Sequence, residues 1–316
     1  MTAKINRREM LRYGSLAMGA ACFSAARRAA KSPTRPNVVW IVSDDHAAYV
    51  TGCYGNSIVR TPNLDRLAAG GVRFDHAYCN SPVCTASRQS FLTGRYPRTV
   101  GVSTLQGALP ADELTLAEML GAAGYETAAF GKMHFNNNLK HGFDLRKDMP
   151  DYQRWLKEKG GIRPVSKDIE VQPPWRPFKD PARVWLNSRN LPTGYYAEDA
   201  PSMFIARESA KYLETKHDNP FFLMVSFYEP HSPYRYPIEY RNRHNAAEFK
   251  LYKVGPEDDD QIPAIFRDLT DDERRGIQAA YYTSTEFMDS CVGVVLDGLE
   301  RAGLKDNTLV VYIGDN

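Results

Sequence analysis

Cysteine is scarce in this chain of 316 residues, which contains only five. Their spacing matches neither the paired ligands of a zinc site nor the dense framework of a disulfide-stapled domain. Two of them, Cys53 and Cys79, would pair in an oxidising compartment if the fold brought them together, and the sequence leaves that question open. The five cysteines are Cys22, Cys53, Cys79, Cys84 and Cys291.

The sequence also lacks an apolar run long enough to span a bilayer. The run at about residues 16–26 is too short. It follows a basic segment, "NRREMLR" at 6–12, which resembles a bacterial twin-arginine (Tat) signal. An amphipathic N-terminal helix is the alternative, but the run has no polar face. We therefore predict a signal peptide over 1–26 and a linker over 27–36. Export by the Tat machinery to the periplasm or the extracellular space follows, with no stable membrane span.

A strong excess of charge is missing as well, since the formal net charge is only +2. Residues 1–36 carry eight basic side chains against one acid, so the remainder of the chain is slightly acidic. This balance gives no sign of the basic surface that binds nucleic acid, and no nucleic-acid partner is predicted. The hydrophobic content of 43% and charged content of 25% are typical of a globular enzyme.

Four short apolar runs, rich in β-branched residues, predict buried strands at 37–43, 125–131, 220–227 and 308–314. Helical patterns lie between them, and one opens with the capping-box pair Thr115 and Glu118. The other helical patterns are "NLDRLAAGG", about 201–216 and about 271–301, the last closed by Gly303. Strands that alternate with helices predict an α/β fold with a largely parallel sheet and helices on both faces.

Residues 140–195 differ in composition, because they are rich in proline, arginine and tryptophan. We predict an ordered but irregular excursion from the sheet scaffold. Its side chains would either line a substrate cleft or form a covering loop that packs on its own aromatics. The side chains concerned are Trp155, Trp175 and Trp185 with Arg154, Arg163, Arg176 and Arg183.

Polar residues follow each of the four predicted strands. In open α/β sheets the ligand crevice lies outside the carboxyl ends of the strands, so these residues are expected to share one site. Any one of them alone has an ordinary explanation, such as a helix cap or a surface histidine, and only their coincidence indicates function. They are Asp44, Asp45 and His46, then Lys132 and His134, then His231, and finally Asp315 and Asn316.

These groups divide into two chemistries. Asp44, Asp45, Asp315 and Asn316 offer hard oxygen ligands, which suit Ca²⁺ or Mg²⁺ and not zinc. Lys132, His134, His231 and the nearby Arg88 are donors that suit an oxyanion. A divalent cation beside several cationic donors describes a site for a sulfate or phosphate ester.

Cys84 is the remaining candidate. The segment from Thr85 to Leu92 predicts a short helix ended by Gly94, which places Cys84 at the helix N-terminus, where negative charge is favoured. Arg88, four residues on, lies on the same face. A thiolate nucleophile is possible chemistry. It matches a hard-oxygen metal site poorly, and an oxygen nucleophile would fit better.

The same residues resemble the signature of the type I sulfatases, members of the alkaline-phosphatase superfamily. "CTASR" at 84–88, with "SFLTGR" at 90–95, is similar to their motif Cys/Ser-x-Pro/Ala-x-Arg. The resemblance covers about residues 36–316, and it implies an alkaline-phosphatase-like fold. Further blocks resemble the family in the same order: "PNVVWIVSDDH", "TPNLDRLAAGGVRFDHAYC", "GKMHF", "PHSP" and "VVYIGDN".

The resemblance implies a mechanism. A formylglycine-generating maturation enzyme would oxidise Cys84, and the hydrate would attack sulfur while the alcohol leaves. The remaining geminal hydroxyl would then expel sulfate and restore the aldehyde. The implied ligands of Ca²⁺, with Mg²⁺ as an alternative, are the residue-84 oxygen and Asp44, Asp45, Asp315 and Asn316.

By the same resemblance, Arg88 would hold the nucleophile and Lys132 would contact the sulfate. His231 would contact the sulfate and assist the leaving group, and His134 would be the base that drives sulfate release.

Two departures from the family pattern qualify this interpretation. Ala86 replaces the commoner proline, which leaves the maturation system open. The family also continues with a further active-site lysine, the rest of the sheet and a smaller C-terminal subdomain. We therefore expect residues 37–316 to be an incomplete N-terminal catalytic domain, truncated at the C-terminus.

The leading hypothesis is a sulfuric ester hydrolase that acts on a sulfated small molecule or glycan, with a sulfated carbohydrate as the expected substrate. One rival is a phosphodiesterase or phosphonate monoester hydrolase of the same superfamily. The other is a non-enzyme, either a carbohydrate-binding protein or a decayed homologue, against which the intact set of site residues argues.

Overall fold

The structure is a computed structural model that describes residues 35–316 apart from Trp175 and Phe178. The predicted signal peptide over 1–26 lies outside the described residues, as does the predicted linker up to residue 34. Export by the Tat route therefore stays a prediction.

Five parallel strands form one sheet, in the order β3-β2-β4-β1-β5. The four predicted strands are confirmed to within three residues at each end. The three-residue β3 was not predicted, because it has no apolar run. The strands are β1 (Asn37–Asp44), β2 (Glu126–Gly131), β3 (Leu145–Lys147), β4 (Phe221–Pro230) and β5 (Thr308–Gly314).

Alternate residues of the central strands supply two separate cores, one on each face of the sheet. Val39 and Ile41 of β1 belong to one core, and Val42 belongs to the other. Phe221, Leu223 and Val225 of β4 face the first core, while Phe222 and Met224 face the second. Both faces of these strands are therefore apolar, which explains why their sequences read as continuous hydrophobic runs. Each fully buried side chain of this kind contributes about 1.5–3 kcal/mol to the stability of the fold.

Helices cover both faces, as predicted. The first core takes in Phe204 and Phe287, and the second takes in Leu92 and Ala117. None of the helices in the described residues combines the length and the apolar character needed to cross a bilayer. They are α1 (Pro62–Ala69), α2 (Cys84–Thr93), α3 (Pro97–Val100), α4 (Leu116–Ala122), α5 (Met149–Glu158), α6 (Ala182–Trp185), α7 (Pro201–Leu213), α8 (Pro256–Asp259) and α9 (Asp271–Arg301).

Side-chain caps mark the starts of α4 and α9. The predicted capping box of Thr115 and Glu118 is present at the start of α4, and Thr270 with Glu273 forms another before α9. Caps of this kind are worth about 1 kcal/mol each. At the other end of α2, Gly94 adopts a left-handed conformation with φ 67°, as its predicted role as a helix stop requires.

The region 140–195 is more regular than predicted, because it contains β3 and the ten-residue helix α5. Asp148 and Asp151 cap the start of α5 reciprocally. The Trp155 ring then packs 5.1 Å from that of Phe204 on α7. The acidic cap and this apolar contact explain why α5 forms. It was not predicted because the segment as a whole is rich in proline and arginine.

The tryptophans and arginines of this region pack and pair within the protein. Trp185 is buried against Phe266, with ring centroids 5.8 Å apart. Each of the four arginines forms an ion pair with a carboxylate, which fits the covering-loop alternative for the described part of this segment. Trp175 lies outside the described residues. The pairs are Arg154–Asp151, Arg163–Glu198, Arg176–Asp180 and Arg183–Asp268. All four cysteines that the structure describes are free, Cys53 and Cys79 included.

Candidate active site

The carboxyl ends of β1, β2, β4 and β5 meet at one edge of the sheet because the strands are parallel. Asp44 is the last residue of β1, where the pairing with β4 is irregular between Val42 and Asp44. Lys132 and His231 directly follow β2 and β4, and Asp315 directly follows β5. The backbone N–H of Asp45 donates to Asp315 Oδ1 at 2.8 Å, which joins the ends of β1 and β5.

Arg88 of α2 lies at the centre of this edge and is almost fully buried. Its Nε donates to Asp315 Oδ2 at 2.6 Å, and its Nη1 donates to the carbonyl oxygen of Lys132 and to Ser226 Oγ, each at 2.6 Å. Its Nη2 lies 3.6 Å from Asp44 Oδ1. Burial alone would lower the pKa of Arg88, but the charges of Asp315 and Asp44 outweigh it and raise the pKa. The guanidinium is thus a permanent positive charge that joins four elements.

Cys84 is the first residue of α2, preceded by an extended Val83. The Ser87 hydroxyl donates to the backbone carbonyl of Asp315, which holds the start of α2 against the end of β5. The Cys84 Sγ and one carboxylate oxygen each of Asp44 and Asp315 lie within 4.8 Å of one another. The structure therefore brings the cysteine to the acids, as the shared-site prediction expects.

The donor set at this point fits a divalent cation with hard-oxygen preference. The Asn316 side-chain N–H donates to the carbonyl of Pro82 at 2.9 Å, which leaves its Oδ1 buried without a hydrogen-bond partner among the described residues. Asp44 Oδ1 is also buried without a hydrogen bond there. Unpaired buried oxygens on an amide and a carboxylate are ligands that Ca²⁺ and Mg²⁺ use.

The carboxylates differ in their electrostatics. Burial would raise the pKa of Asp44, but Arg88 and Lys132 outweigh it and lower the pKa, because Lys132 Nζ contacts Asp44 directly. Burial raises the pKa of both Asp45 and Asp315, with the charges of His231 and Arg88, respectively, opposing the shift. Two buried acids, Asp44 and Asp315, next to the more exposed Asp45 favour bound positive charge.

His134 is held by two residues of α2. Its Nδ1 lies 3.2 Å from the Thr85 hydroxyl, which donates to the carbonyl of Leu105 at 2.9 Å. A hydroxyl that already donates must accept from its second partner, so the proton of His134 is on Nδ1 and Nε2 carries the lone pair. The Gln89 amide also donates to the backbone carbonyl of His134 at 3.0 Å.

His134 is neutral at neutral pH. Burial lowers its pKa to about 3, with the charges of Lys132 and Arg88 adding to the shift. A neutral imidazole with a lone pair on Nε2 is suited to accept a proton.

His231 belongs to the same electrostatic group. Its Nδ1 lies 2.7 Å from the carbonyl oxygen of Ser232, which places the proton on Nδ1. Its positive form lowers the pKa of both Asp44 and Asp45. It therefore faces the same acids as Lys132.

Unusual backbone conformations concentrate at this edge. Asp45 and His134 adopt left-handed φ values of 62° and 57°. Gly131 has φ 97°, and a Cβ there would lie 1.9 Å from the carbonyl oxygen of Ser226. The close approach lets the Lys132 N–H donate to that same carbonyl at 3.0 Å. Such conformations persist where the surrounding structure enforces them, which is common at functional sites.

Three participants were not assigned a role from sequence: Thr85, Gln89 and Ser226. Ser226 carried a usable signal, since it is the one polar residue in the apolar run 220–227. Thr85 and Gln89 stand inside the helix with Cys84 and Arg88, and nothing in their spacing distinguishes them from ordinary helix residues. His46, which follows Asp45, hydrogen-bonds Tyr312 and the carbonyl of Val50, and burial lowers its pKa to about 4.

The parallel sheet with helices on both faces defines an α/β protein with an alkaline-phosphatase-like fold, and the cluster of acids and cations lies at its strand ends. The chain belongs to the sulfatase family, whose model matches residues 36–316. This match covers the described fold almost completely and includes every residue of the candidate site.

Two curated relatives of this chain are also sulfatases. The chain is 30% identical over 287 residues to an ulvan-active sulfatase of Formosa agariphila, covering 90% of this chain and 51% of the relative. It is 29% identical over 326 residues to an arylsulfatase of Clostridium perfringens, covering 89% and 63%. The chain thus spans between about half and two thirds of the length of these relatives.

Among solved structures, the phosphonate monoester hydrolase of Agrobacterium radiobacter is similar in fold. Its TM-score is 0.74 at 23% identity, covering 89% of this chain and 62% of that one. At this identity the likeness shows the fold alone.

Proposed function

We propose that the protein is a sulfatase that hydrolyses a sulfate ester on a carbohydrate. The observation that carries the proposal is the placement of Cys84 at the N-terminus of α2, with its sulfur among the carboxylates of Asp44 and Asp315. Family membership supports the same reaction, and the ulvan-active relative supports a carbohydrate substrate.

A divalent cation would be held by Asp44, Asp45, Asp315 and Asn316, together with an oxygen on residue 84. We propose Ca²⁺, with Mg²⁺ as the alternative, because Mg²⁺ is usually held by only one or two carboxylates and keeps several waters. When bound, the cation would supply Lewis-acid stabilisation of negative charge on the ester oxygens.

An unmodified Cys84 is a poor nucleophile in this setting. Burial raises the pKa of its thiol, and the charge of Lys132 opposes the shift only in part. The thiol therefore stays protonated at neutral pH, and its sulfur suits neither the acids nor a hard cation. Conversion of Cys84 to formylglycine by a maturation enzyme would supply an oxygen nucleophile instead.

The remaining groups then have distinct tasks. Arg88, held by Asp315, would fix the start of α2 and the nucleophile that it presents. Lys132 and His231 would bind the ester oxygens, and His231, when both of its ring nitrogens are protonated, would give its Nε2 proton to the leaving alcohol. His134, neutral with a lone pair on Nε2, would take the proton from residue 84 that releases sulfate.

The test uses the full-length gene product, made in its native host. Sulfated sugars, aryl sulfates, phosphodiesters and phosphonate monoesters are assayed side by side, and mass spectrometry reads residue 84. We expect a sulfated sugar to be the best substrate and residue 84 to carry aldehyde or hydrate. Cys84→Ala should abolish turnover, whereas the exposed Cys79→Ala should not. Full activity with an unmodified, reduced Cys84 would contradict the mechanism.

The rival within the superfamily has one observation in its favour, the likeness in fold to a phosphonate monoester hydrolase. The same panel decides between them, because preference for a phosphonate or phosphodiester over every sulfate would replace the sulfatase proposal.

We also propose export by the Tat route, on the basis of the paired Arg7 and Arg8 ahead of the apolar run. A double lysine substitution, Arg7→Lys with Arg8→Lys, should retain the precursor in the cytoplasm, as read by fractionation and immunoblotting. Export of the doubly substituted protein at the normal rate would show a different route.

A further inference from the structure

A cavity of about 270 Å³ lies directly beside the candidate active site. We call it the tyrosine pocket and define it by Asp45, Tyr49, Tyr252, Gln278, Tyr281 and Asn316. Asp45 and Asn316 are also proposed cation ligands, so a group bound in this cavity touches the reacting centre. Tyr234 lines it too, and its N–H donates to the His231 carbonyl at 3.0 Å. The proposed leaving-group histidine therefore stands at the junction of the two sites.

The inner wall of the tyrosine pocket is rigidly built. The Tyr281 hydroxyl accepts from the N–H of Ala47 at 2.9 Å and donates to the carbonyl of Asp45 at 2.8 Å. The Tyr234 ring stands perpendicular to that of Tyr281, with centroids 5.3 Å apart. A wall fixed in this way loses little conformational entropy when a ligand binds.

The outer rim carries two exposed aromatic side chains. Tyr49 is 60% exposed and Tyr252 is 64% exposed, and their rings meet edge to face with centroids 6.1 Å apart. Aromatic faces carry partial negative charge, and the C–H groups on one face of a sugar ring carry partial positive charge. An exposed tyrosine pair at the mouth of a cavity is therefore suited to stack on a sugar.

The wall also contains an unpaired acceptor that is not a proposed cation ligand. The Gln278 Oε1 atom is buried and has no hydrogen-bond partner among the described residues. A buried acceptor without a donor is costly, and a hydroxyl group that entered the pocket beside it would offset this cost. The hydroxyls of a sugar can do so, whereas an unsubstituted aryl ring cannot.

The charge of the tyrosine pocket limits what it binds. Asp45 is the only charged side chain among the described residues that line it. Without a lysine or arginine, the cavity offers no partner for a second sulfate or a uronic acid. Its volume suits one ring and not an oligosaccharide.

We propose that the tyrosine pocket binds the neutral monosaccharide ring that bears the scissile sulfate. The ring stacks on Tyr49 and Tyr252, and its hydroxyls hydrogen-bond with the side-chain amide of Gln278 in the pocket wall. The assignment of the sulfate-bearing ring rests on the proposed function, while the binding of a neutral sugar rests on the cavity alone.

The first experiment measures binding without turnover. Galactose, glucose, xylose and rhamnose are titrated into the full-length protein and followed by saturation-transfer NMR. We expect Tyr252→Ala and Gln278→Leu to weaken the best-bound sugar about tenfold or more. Gln278→Leu should do so without lowering the melting temperature, because it removes a buried acceptor that lacks a partner. Tyr96→Ala, at a tyrosine that is 70% exposed outside the pocket, is the matched control and should change nothing.

The second experiment measures turnover of the best sulfated sugar from the substrate panel. We expect the same two variants to raise KM about tenfold. Inhibition by inorganic sulfate should stay the same, because sulfate occupies only the neighbouring site.

The outcomes separate this proposal from the proposed function. Sugar binding that depends on Tyr252 and Gln278, in a protein that hydrolyses no sulfate, would support the pocket and refute the function. Sulfate hydrolysis with an unchanged KM in both folded variants would refute the pocket and leave the function standing. The absence of binding by every sugar, or tighter binding of phenol than of any sugar, would also refute it.

Discussion

The hydroxyl of Thr85 determines which ring nitrogen of the candidate base, His134, carries the proton. In the chain of hydrogen bonds from His134 to Thr85 to the carbonyl of Leu105, the hydroxyl accepts from one side and donates to the other. That carbonyl also accepts from the Asn136 amide at 2.8 Å, so it keeps a partner when the hydroxyl is removed. A substitution at Thr85 thus affects His134 selectively.

We expect Thr85→Val to lower kcat for the best substrate by about tenfold or more, because proton transfer by a positioned base contributes about 10²–10⁴-fold. Thr85→Ser keeps the hydroxyl and should restore most of the rate. Melting temperatures measured alongside should be similar for both variants. Equal rates in the serine and valine variants would show that the hydroxyl does not orient His134.

Glu229 is a buried acid near the end of β4, and its effect on the stability of the folded protein depends on pH. Burial raises its pKa from 4.5 to about 7, and the Ser202 hydroxyl donates to it. A carboxyl with a raised pKa holds its proton longer in the folded than in the unfolded protein. The folded state therefore loses stability as pH rises from about 4.5 to about 7, by on the order of 3 kcal/mol.

We expect Glu229→Gln to be more stable than the unsubstituted protein at pH 8 and to approach it in stability near pH 4.5. Urea unfolding at both pH values measures the difference. A stability difference that is constant across this range would show that Glu229 does not titrate as its burial implies.

For single residues, the sequence predicted which side chains belong to the site better than it predicted what those side chains contact. Cys84 and Arg88 were placed together because four residues make about one helical turn. The contacts of Arg88 with Ser226 and with the Lys132 carbonyl depend on how far α2 lies from β2 and β4, which no local pattern encodes. Thr85 was overlooked for the same reason.

At the scale of the secondary-structure elements, Gly131 is the residue that lets the end of β2 approach β4 closely. Any side chain there meets the Ser226 carbonyl, at a backbone conformation of φ 97° that L residues rarely adopt. Gly160 has a similar φ of 95° with open space around it. The two glycines therefore separate the cost of the conformation from the cost of the collision.

We expect Gly160→Ala to lower the free energy of unfolding by about 1–2 kcal/mol, the usual penalty for the left-handed region. Gly131→Ala should cost on the order of 4 kcal/mol or more, because backbone must move. Denaturant unfolding of both variants gives the comparison. Equal losses would mean that the approach of β2 to β4 is not as close as the structure has it.

Elements with strong periodicity were predictable, and elements that depend on tertiary contact were not. The four long strands were evident because both of their faces are buried, and α4 because Thr115 and Glu118 cap it. The strand β3 has three residues, one of them exposed, and it is a strand only because β2 pairs with it. The helix α5 depends on Trp155 packing against α7, a contact that sequence alone does not show.

At the scale of the whole molecule, the candidate cation site should contribute to stability. A cation that binds only the folded state stabilises it by about 2.7 kcal/mol at a hundredfold excess over Kd. We expect Ca²⁺ to raise the melting temperature of the full-length protein and a chelator to reverse the increase.

Asp315→Asn should remove most of this Ca²⁺-dependent increase, because it takes one charge from the ligand set. Asp218→Asn, at a side chain that is 77% exposed, is the control and should keep it. The same increase in both variants would place the cation elsewhere.

The pairing of β5 with β1 joins Asn37 and Thr308, which are 271 positions apart. Contacts between such distant positions form slowly, because the entropy of closing the loop must be overcome before they contribute. Asp315 reaches Ser87 and Arg88 only when this pairing is made. In the finished protein Cys84 is only 7% exposed.

Because residue 84 is almost fully buried once the fold is complete, we expect an enzyme that modifies it to act before β5 pairs with β1. The time available for the modification would then be set by how slowly that distant pairing forms.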